Sequence, residues 1–105
     1  MSIIITVLYP NTPGSRFDFD YFLKSHKPLI ESRWRGKGMT SFKALKAKGT
    51  ADPATPAPYQ AIAVIGFESL AALQSVAKDT GAALASDIAN FTDVTPIVQL
   101  NDDLG

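Results

Sequence analysis

Apolar residues run almost unbroken from Ile3 to Tyr9, Ile-Ile-Ile-Thr-Val-Leu-Tyr, and Pro10 closes the run. A short stretch this rich in β-branched residues predicts a strand that is apolar on both faces. Turn residues follow, Pro10-Asn11-Thr12-Pro13-Gly14-Ser15. From Phe17 to Trp34 the period changes. At about 100° per residue, Phe19, Phe22, Leu23, His26, Leu29, Ile30, Arg33 and Trp34 share one face, with Lys24, Glu31 and Arg35 opposite. That pattern predicts one amphipathic helix, which Gly36 and Gly38 end around Lys37. Met39 to Lys46 reads as a second strand. Ala47 to Pro58, rich in Ala, Pro and Thr, reads as a loop. Tyr59 to Phe67 reads as a third strand. Ser69 caps a second helix through about Lys78, with Leu70, Leu73, Val76 and Ala77 as its buried stripe. Gly81 is expected to interrupt it before a further helical segment to about Ala89. A last strand is expected over about Thr95 to Asn101.

The start of the first helix is well marked. Asp18 can accept from a first-turn N–H, and Asp20 places negative charge where the macrodipole favours it. Phe17 and Phe22 stand at the two positions of a hydrophobic staple. Pro28 is the anomaly, because a proline inside a helix costs roughly 3 kcal/mol. The expectation is either a bend at Pro28 or a second helix that begins with Pro28 in its first turn.

The element order is therefore β-α-β-β-α-β. This is the ferredoxin-like α+β topology, with four antiparallel strands and helices on one face. An antiparallel sheet with one wet face should alternate apolar and polar residues. The first and third strands do not. Two helices cover only one face of a sheet, so the expectation is that a second copy of the chain covers the other, as a homodimer.

Composition narrows the chemistry. The chain has 105 residues, a length suited to a single domain over 1–105. It has no cysteine, which excludes disulfides, zinc–thiolate sites and thiol catalysis. With one histidine, a multi-histidine metal site within one chain is excluded too. Nothing reads as a secretion signal or a membrane span, so a cytoplasmic protein is expected. Asn90-Phe91-Thr92 matches a glycosylation acceptor, which carries no weight without secretion. Net charge is zero, yet nine of the ten Lys and Arg residues lie between Arg16 and Lys48. Such asymmetry reads as a solvated basic face, or as a patch for an anionic partner.

His26 is the main candidate for chemistry. A lone imidazole in an apolar arc is either a satisfied half-core residue or a general acid/base lining a pocket. Tyr9, at the end of the first strand, either closes the sheet with its ring or brings its hydroxyl to the pocket. Arg33 either binds a carboxylate or phenolate or snorkels to the helix edge. Trp34 follows His26 by two turns, beside Arg33. Phe19, Phe22 and Phe42 are core residues or pocket walls suited to an aromatic or branched apolar ligand. The candidate site is His26 as catalytic residue with Tyr9, Phe22, Arg33, Trp34 and Phe42 as substrate-binding residues. No Gly-rich phosphate loop is present.

Three segments carry a specific resemblance: Leu8-Tyr9-Pro10-Asn11-Thr12-Pro13-Gly14, then Phe17-Asp18-Phe19-Asp20-Tyr21-Phe22 with Ser25-His26-Lys27-Pro28-Leu29, and Asp87-Ile88-Ala89-Asn90-Phe91-Thr92-Asp93. In these the chain resembles the EthD-domain proteins of the dimeric α+β barrel superfamily, nearly end to end. The resemblance implies a homodimer with two facing sheets and a pocket in each subunit between sheet and helices. Relatives in that superfamily include cofactor-free monooxygenases, polyketide cyclases, lactone isomerases and haem-binding proteins. The family takes its name from an association with ethyl tert-butyl ether degradation. Two functions follow as expectations: a small enzyme without metal or organic cofactor acting on an apolar or phenolic compound, or a non-catalytic dimer that binds one. A single histidine would also suffice as an axial haem ligand. RNA-binding domains share the element order but carry stacking aromatics on the third strand. Ala61-Ile62-Ala63-Val64-Ile65 has none, so nucleic-acid binding is not expected.

Overall fold

The computed structural model describes residues 2–105. Four strands, β1 (Ile3–Pro10), β2 (Met39–Lys46), β3 (Tyr59–Phe67) and β4 (Ile97–Asp102), form one antiparallel sheet in the order β2-β3-β1-β4. The helical stretches after β1 and after β3 complete the ferredoxin-like α+β fold. Proline and glycine punctuation fixed the strand limits closely, save at the last strand. Expected over Thr95 to Asn101, β4 instead begins at Ile97 and ends at Asp102. Pro96 has no N–H to give a ladder, so pairing starts after it.

Register assigns the two faces of the sheet. Ile5 of β1 stands opposite Ile65 and Leu100, and Val7 opposite Ala63 and Val98. Phe42 and Ala44 share this face through Ile65 and Ala63. Here the core sits, with Ile3, Ile5, Tyr9, Ala61, Ala63, Ile65 and Phe67 buried beneath Phe22, Ile30, Leu73, Val76 and Leu84 of the helices. The opposite face carries Ile4, Leu8, Ile62, Val64, Leu45 and Ile97. No helix of the chain covers it. Leu45 and Ile97 are exposed, and the others are half-buried by their neighbours in the sheet.

The first helical stretch has three parts. Helix α1 (Phe19–Tyr21) is capped by Asp18, whose carboxylate accepts from the Tyr21 N–H at 3.1 Å. A π-helical segment, Phe22–His26, follows, and the Lys27 N–H reaches back to the Phe22 carbonyl. Helix α2 (Lys27–Trp34) continues with Pro28 in its first turn, where a missing N–H costs least. The chain thus takes the second of the two expectations for Pro28, without breaking the run. A 3-10 turn, Arg35–Lys37, ends it at Gly38, at φ 114°. A Cβ at Gly38 would stand 2.8 Å from that of Ala72, so both backbone and packing require glycine there.

The π segment changes which residues face the core. A turn closed by i→i+5 bonds takes more residues than an α-turn. With it inserted, Phe22, His26, Ile30 and Trp34, each four apart, point inward together. Leu23 is 48% exposed, and Leu29 is only half-buried. Arg33, expected on the apolar arc, is exposed. A further correction concerns α3, which runs from Leu70 to Ile88 without interruption at Gly81 and buries Leu73 and Val76 of its expected stripe, while Leu70 and Ala77 are exposed. Ser69 caps it as expected, accepting from the Ala72 N–H at 3.1 Å.

Candidate active site

Two loops are tied together beside the π segment. The Asp18 N–H donates to the Phe91 carbonyl at 2.7 Å, and Thr92 Oγ1 donates to the Arg16 carbonyl at 2.6 Å. The Arg16 guanidinium donates to the Ala89 carbonyl at 3.1 Å, a cation at the C-terminal end of α3 where the dipole favours one. These ties drive Phe91 into the core, fully buried. Its ring contacts those of Tyr9, Phe17, Tyr21, Phe22 and His26, the last at 4.7 Å between centroids.

The same ties bring the last turn of α3 over His26. His26 is 3% exposed, and its Nδ1 lies 2.7 Å from Oδ2 of Asp87. Oδ1 of Asp87 accepts from the Tyr21 hydroxyl at 2.7 Å and from the Asn90 amide at 3.0 Å. Burial pushes the Asp87 carboxyl up, but the bonds from Tyr21, His26 and Asn90 outweigh it and hold it below its ordinary range. For His26, burial is the larger influence and lowers the pKa, against the opposing pull of Asp87. Near neutral pH the pair is therefore an ionised carboxylate and a neutral imidazole. A carboxylate only accepts, so Nδ1 carries the imidazole proton and Nε2 holds a free lone pair.

His26 lines a cavity of about 350 Å³ between the sheet and the helices. The sheet contributes Ile5, Val7, Tyr9, Phe42, Ala63, Ile65, Val98 and Leu100. The first helical stretch contributes Phe22, His26, Ile30 and Trp34, and α3 the remainder, from Leu73 to Ile88, apart from Pro96. Among the described residues, no side-chain nitrogen or oxygen sealed from solvent lacks a partner. Nε2 of His26 and the hydroxyl of Tyr9 make no hydrogen bond to the protein, and both residues are almost wholly enclosed. Both residues line the cavity. Burial raises the Tyr9 pKa well above its ordinary value, so the hydroxyl keeps its proton. Gln74 is the other polar side chain on the wall, and none of the lining residues is a Lys or Arg.

Five of the six residues singled out from the sequence thus line one cavity: Tyr9, Phe22, His26, Trp34 and Phe42. Trp34 is anchored there by a 2.8 Å bond from its indole N–H to Thr80 Oγ1. Arg33 is exposed and does not line the cavity, because the π turn rotates it away. Asp87, Tyr21 and Asn90 were missed. One signal was present: an acid in the last turn of a helix opposes the macrodipole and wants a compensating partner. Among the described residues, no three His, Cys, Asp or Glu side chains gather as a metal site. Nor is any helix among them long and apolar enough to cross a membrane.

No protein-family model matches the sequence, and no curated protein does. Solved structures do. The crystal structure of an EthD-like protein from Ralstonia eutropha JMP134 superposes with a TM-score of 0.93, covering 99% of this chain and 93% of that one, at 27% identity. The chain has the fold of that EthD-like protein. An ethyl tert-butyl ether (EthD) family protein from Bacillus halodurans C-125 superposes with a TM-score of 0.77 over 99% and 100% of the two chains, at 18% identity. SnoaB, a cofactor-independent oxygenase from Streptomyces nogalater, shares the fold at a TM-score of 0.67 and 8% identity, over 99% and 93%. At those lower identities the likeness is one of fold. The fold is thus shared with a cofactor-independent oxygenase.

Proposed function

We propose that this EthD-like protein is a small homodimeric enzyme performing acid–base chemistry on an uncharged, largely apolar molecule held beside His26. The observation that carries the reading is the 2.7 Å bond from His26 to Asp87, which leaves Nε2 as the proton acceptor of a residue that lines a largely apolar cavity. A base is most effective when its pKa lies near the operating pH and its ring is held in one orientation. Asp87 fixes the tautomer, Phe22 and Phe91 hold the imidazole plane, and Tyr21 and Asn90 hold Asp87. An anionic ligand would meet no cation on the wall and would lose its hydration. The side chains present supply this chemistry without a metal or organic cofactor, and SnoaB offers a cofactor-independent oxygenase on the same fold. The open apolar face of the sheet supports the dimer, as a surface that water should not be left to cover.

The test uses 2-naphthol, a neutral two-ring compound with one hydroxyl, and tetralin, its counterpart without a polar group. In ¹⁵N-labelled protein, free His26 should show a protonated Nδ1 and an unprotonated Nε2, and 2-naphthol should shift the Nε2 signal. His26→Phe should weaken 2-naphthol and leave tetralin nearly as tight as in the wild type. An Nε2 signal that no bound compound moves, with 2-naphthol binding intact in His26→Phe, would leave His26 as packing and overturn the reading.

A further inference from the structure

The cavity presents a matched pair of free polar atoms, of opposite hydrogen-bonding sense. Nε2 of His26 can only accept while Asp87 holds the other nitrogen's proton. Among the described residues the Tyr9 hydroxyl makes no hydrogen bond, and Tyr9 lines the cavity, so its hydrogen is available to a molecule held there. Both rings pack on the same two neighbours: Tyr9 stands 5.9 Å from Phe22 and 5.8 Å from Phe91, and His26 6.0 Å and 4.7 Å from the same rings. Both side chains line the same cavity.

We propose that Tyr9 donates to a carbonyl oxygen of the substrate while His26 Nε2 takes a proton from the adjacent carbon, which makes the substrate class a neutral, enolisable ketone of about two fused rings. The inference rests on the reading of His26 as the base. Size follows from the cavity: roughly 150 Å³ of apolar space accommodates one benzene ring, and about 350 Å³ is present here. In the step, the C–H bond breaks, its proton goes to Nε2 and its electron pair forms the C=C bond. The carbonyl π pair moves to oxygen, where the Tyr9 hydroxyl stabilises it. The imidazolium then returns a proton to the carbon, or to a conjugated carbon of the enol, so atoms and electrons balance with no oxidant or co-reactant. A donor aimed at developing oxyanion charge in a dry site is among the stronger contributions an enzyme can make. Tyr9 stays protonated for the reason that also seats it there, its burial.

The probe is 2-tetralone, a neutral bicyclic ketone, with exchange of its C1 protons for deuterium followed by NMR. Wild-type protein should exchange C1 well above the buffer rate. Tyr9→Phe should fold and bind 2-tetralone within a few-fold of wild type, yet exchange it more slowly by on the order of 10²-fold. His26→Gln should bring exchange to the buffer rate. If Tyr9→Phe exchanges as fast as wild type while His26→Gln does not, Tyr9 is not the donor and the His26 reading survives. Exchange at the buffer rate by the wild type overturns the substrate class. The shift of the His26 Nε2 signal by 2-naphthol then decides separately whether His26 still stands as the base.

Discussion

His26 and Asp87 make the protein sensitive to acid in a defined sense. Both have folded-state pKa values below their ordinary ones. On acidification the unfolded chain therefore binds these protons first, and stability falls as pH falls. The His26 loss should set in near pH 6.5 and run down through its folded value, and the Asp87 loss should begin near pH 3.8. Activity that needs the neutral imidazole should be full above the folded His26 pKa and disappear below it. Asp87→Asn removes the two influences that raise His26, so its pKa should fall further and the acid limb of activity should move to lower pH. The rate itself should drop by on the order of 10²–10⁴-fold, as the ring loses its fixed tautomer. An NMR titration of the His26 ring in both proteins checks the direction, and a rise in the variant would contradict it. Of this pair the sequence displayed only one half. His26 stood out as the sole imidazole in an apolar arc. Asp87 stood 61 residues away and met it only in three dimensions.

At the scale of elements, periodicity carried most of the fold and failed at two places for different reasons. The reading of Arg33 assumed 3.6 residues per turn throughout. A π turn leaves no mark in the apolar pattern itself, and its phase shift appears only downstream, where Arg33 turns out and Trp34 in. At Gly81 the error was one of magnitude. A helical glycine costs roughly 0.5–1 kcal/mol relative to alanine, too little to break a helix whose Leu73, Val76 and Leu84 are buried. The same quantity gives a test. A Cβ at Gly81 meets nothing within 4 Å, so Gly81→Ala should stabilise the fold by about 0.5–1 kcal/mol. Thermal unfolding should show a midpoint a few degrees higher. A lower one would mean that α3 is bent or locally open at this glycine.

The whole molecule presents an unbalanced sheet. One face is buried under the helices, and the other carries Ile4, Leu8, Ile62 and Val64 on its two central strands. Strands apolar on both sides were the clearest global signal in the sequence, since they require more cover than two helices provide. Light scattering at micromolar concentration should return twice the chain mass. Val64→Arg, in the middle of the open face, should weaken association by at least about 100-fold, because an unpaired charge would be buried between the sheets. A wild type that stays monomeric would remove the second copy from the picture.

The packing of Phe91 also sets when, in the life of the chain, a working base can exist. The rings around it come from residues 9 to 26, and Asp87 lies four positions before it. A chain still being synthesised can form its first strand and the turns that follow. Until residue 91 has emerged and the long loop back to the first helical stretch has closed, His26 has neither its carboxylate nor its full aromatic wall. Contacts of such separation come late, because loop closure must be met before they add stability. A nascent or C-terminally truncated chain would thus carry an ordinary, solvated histidine. The imidazole signal that marks the mature site would mark the completion of folding as well.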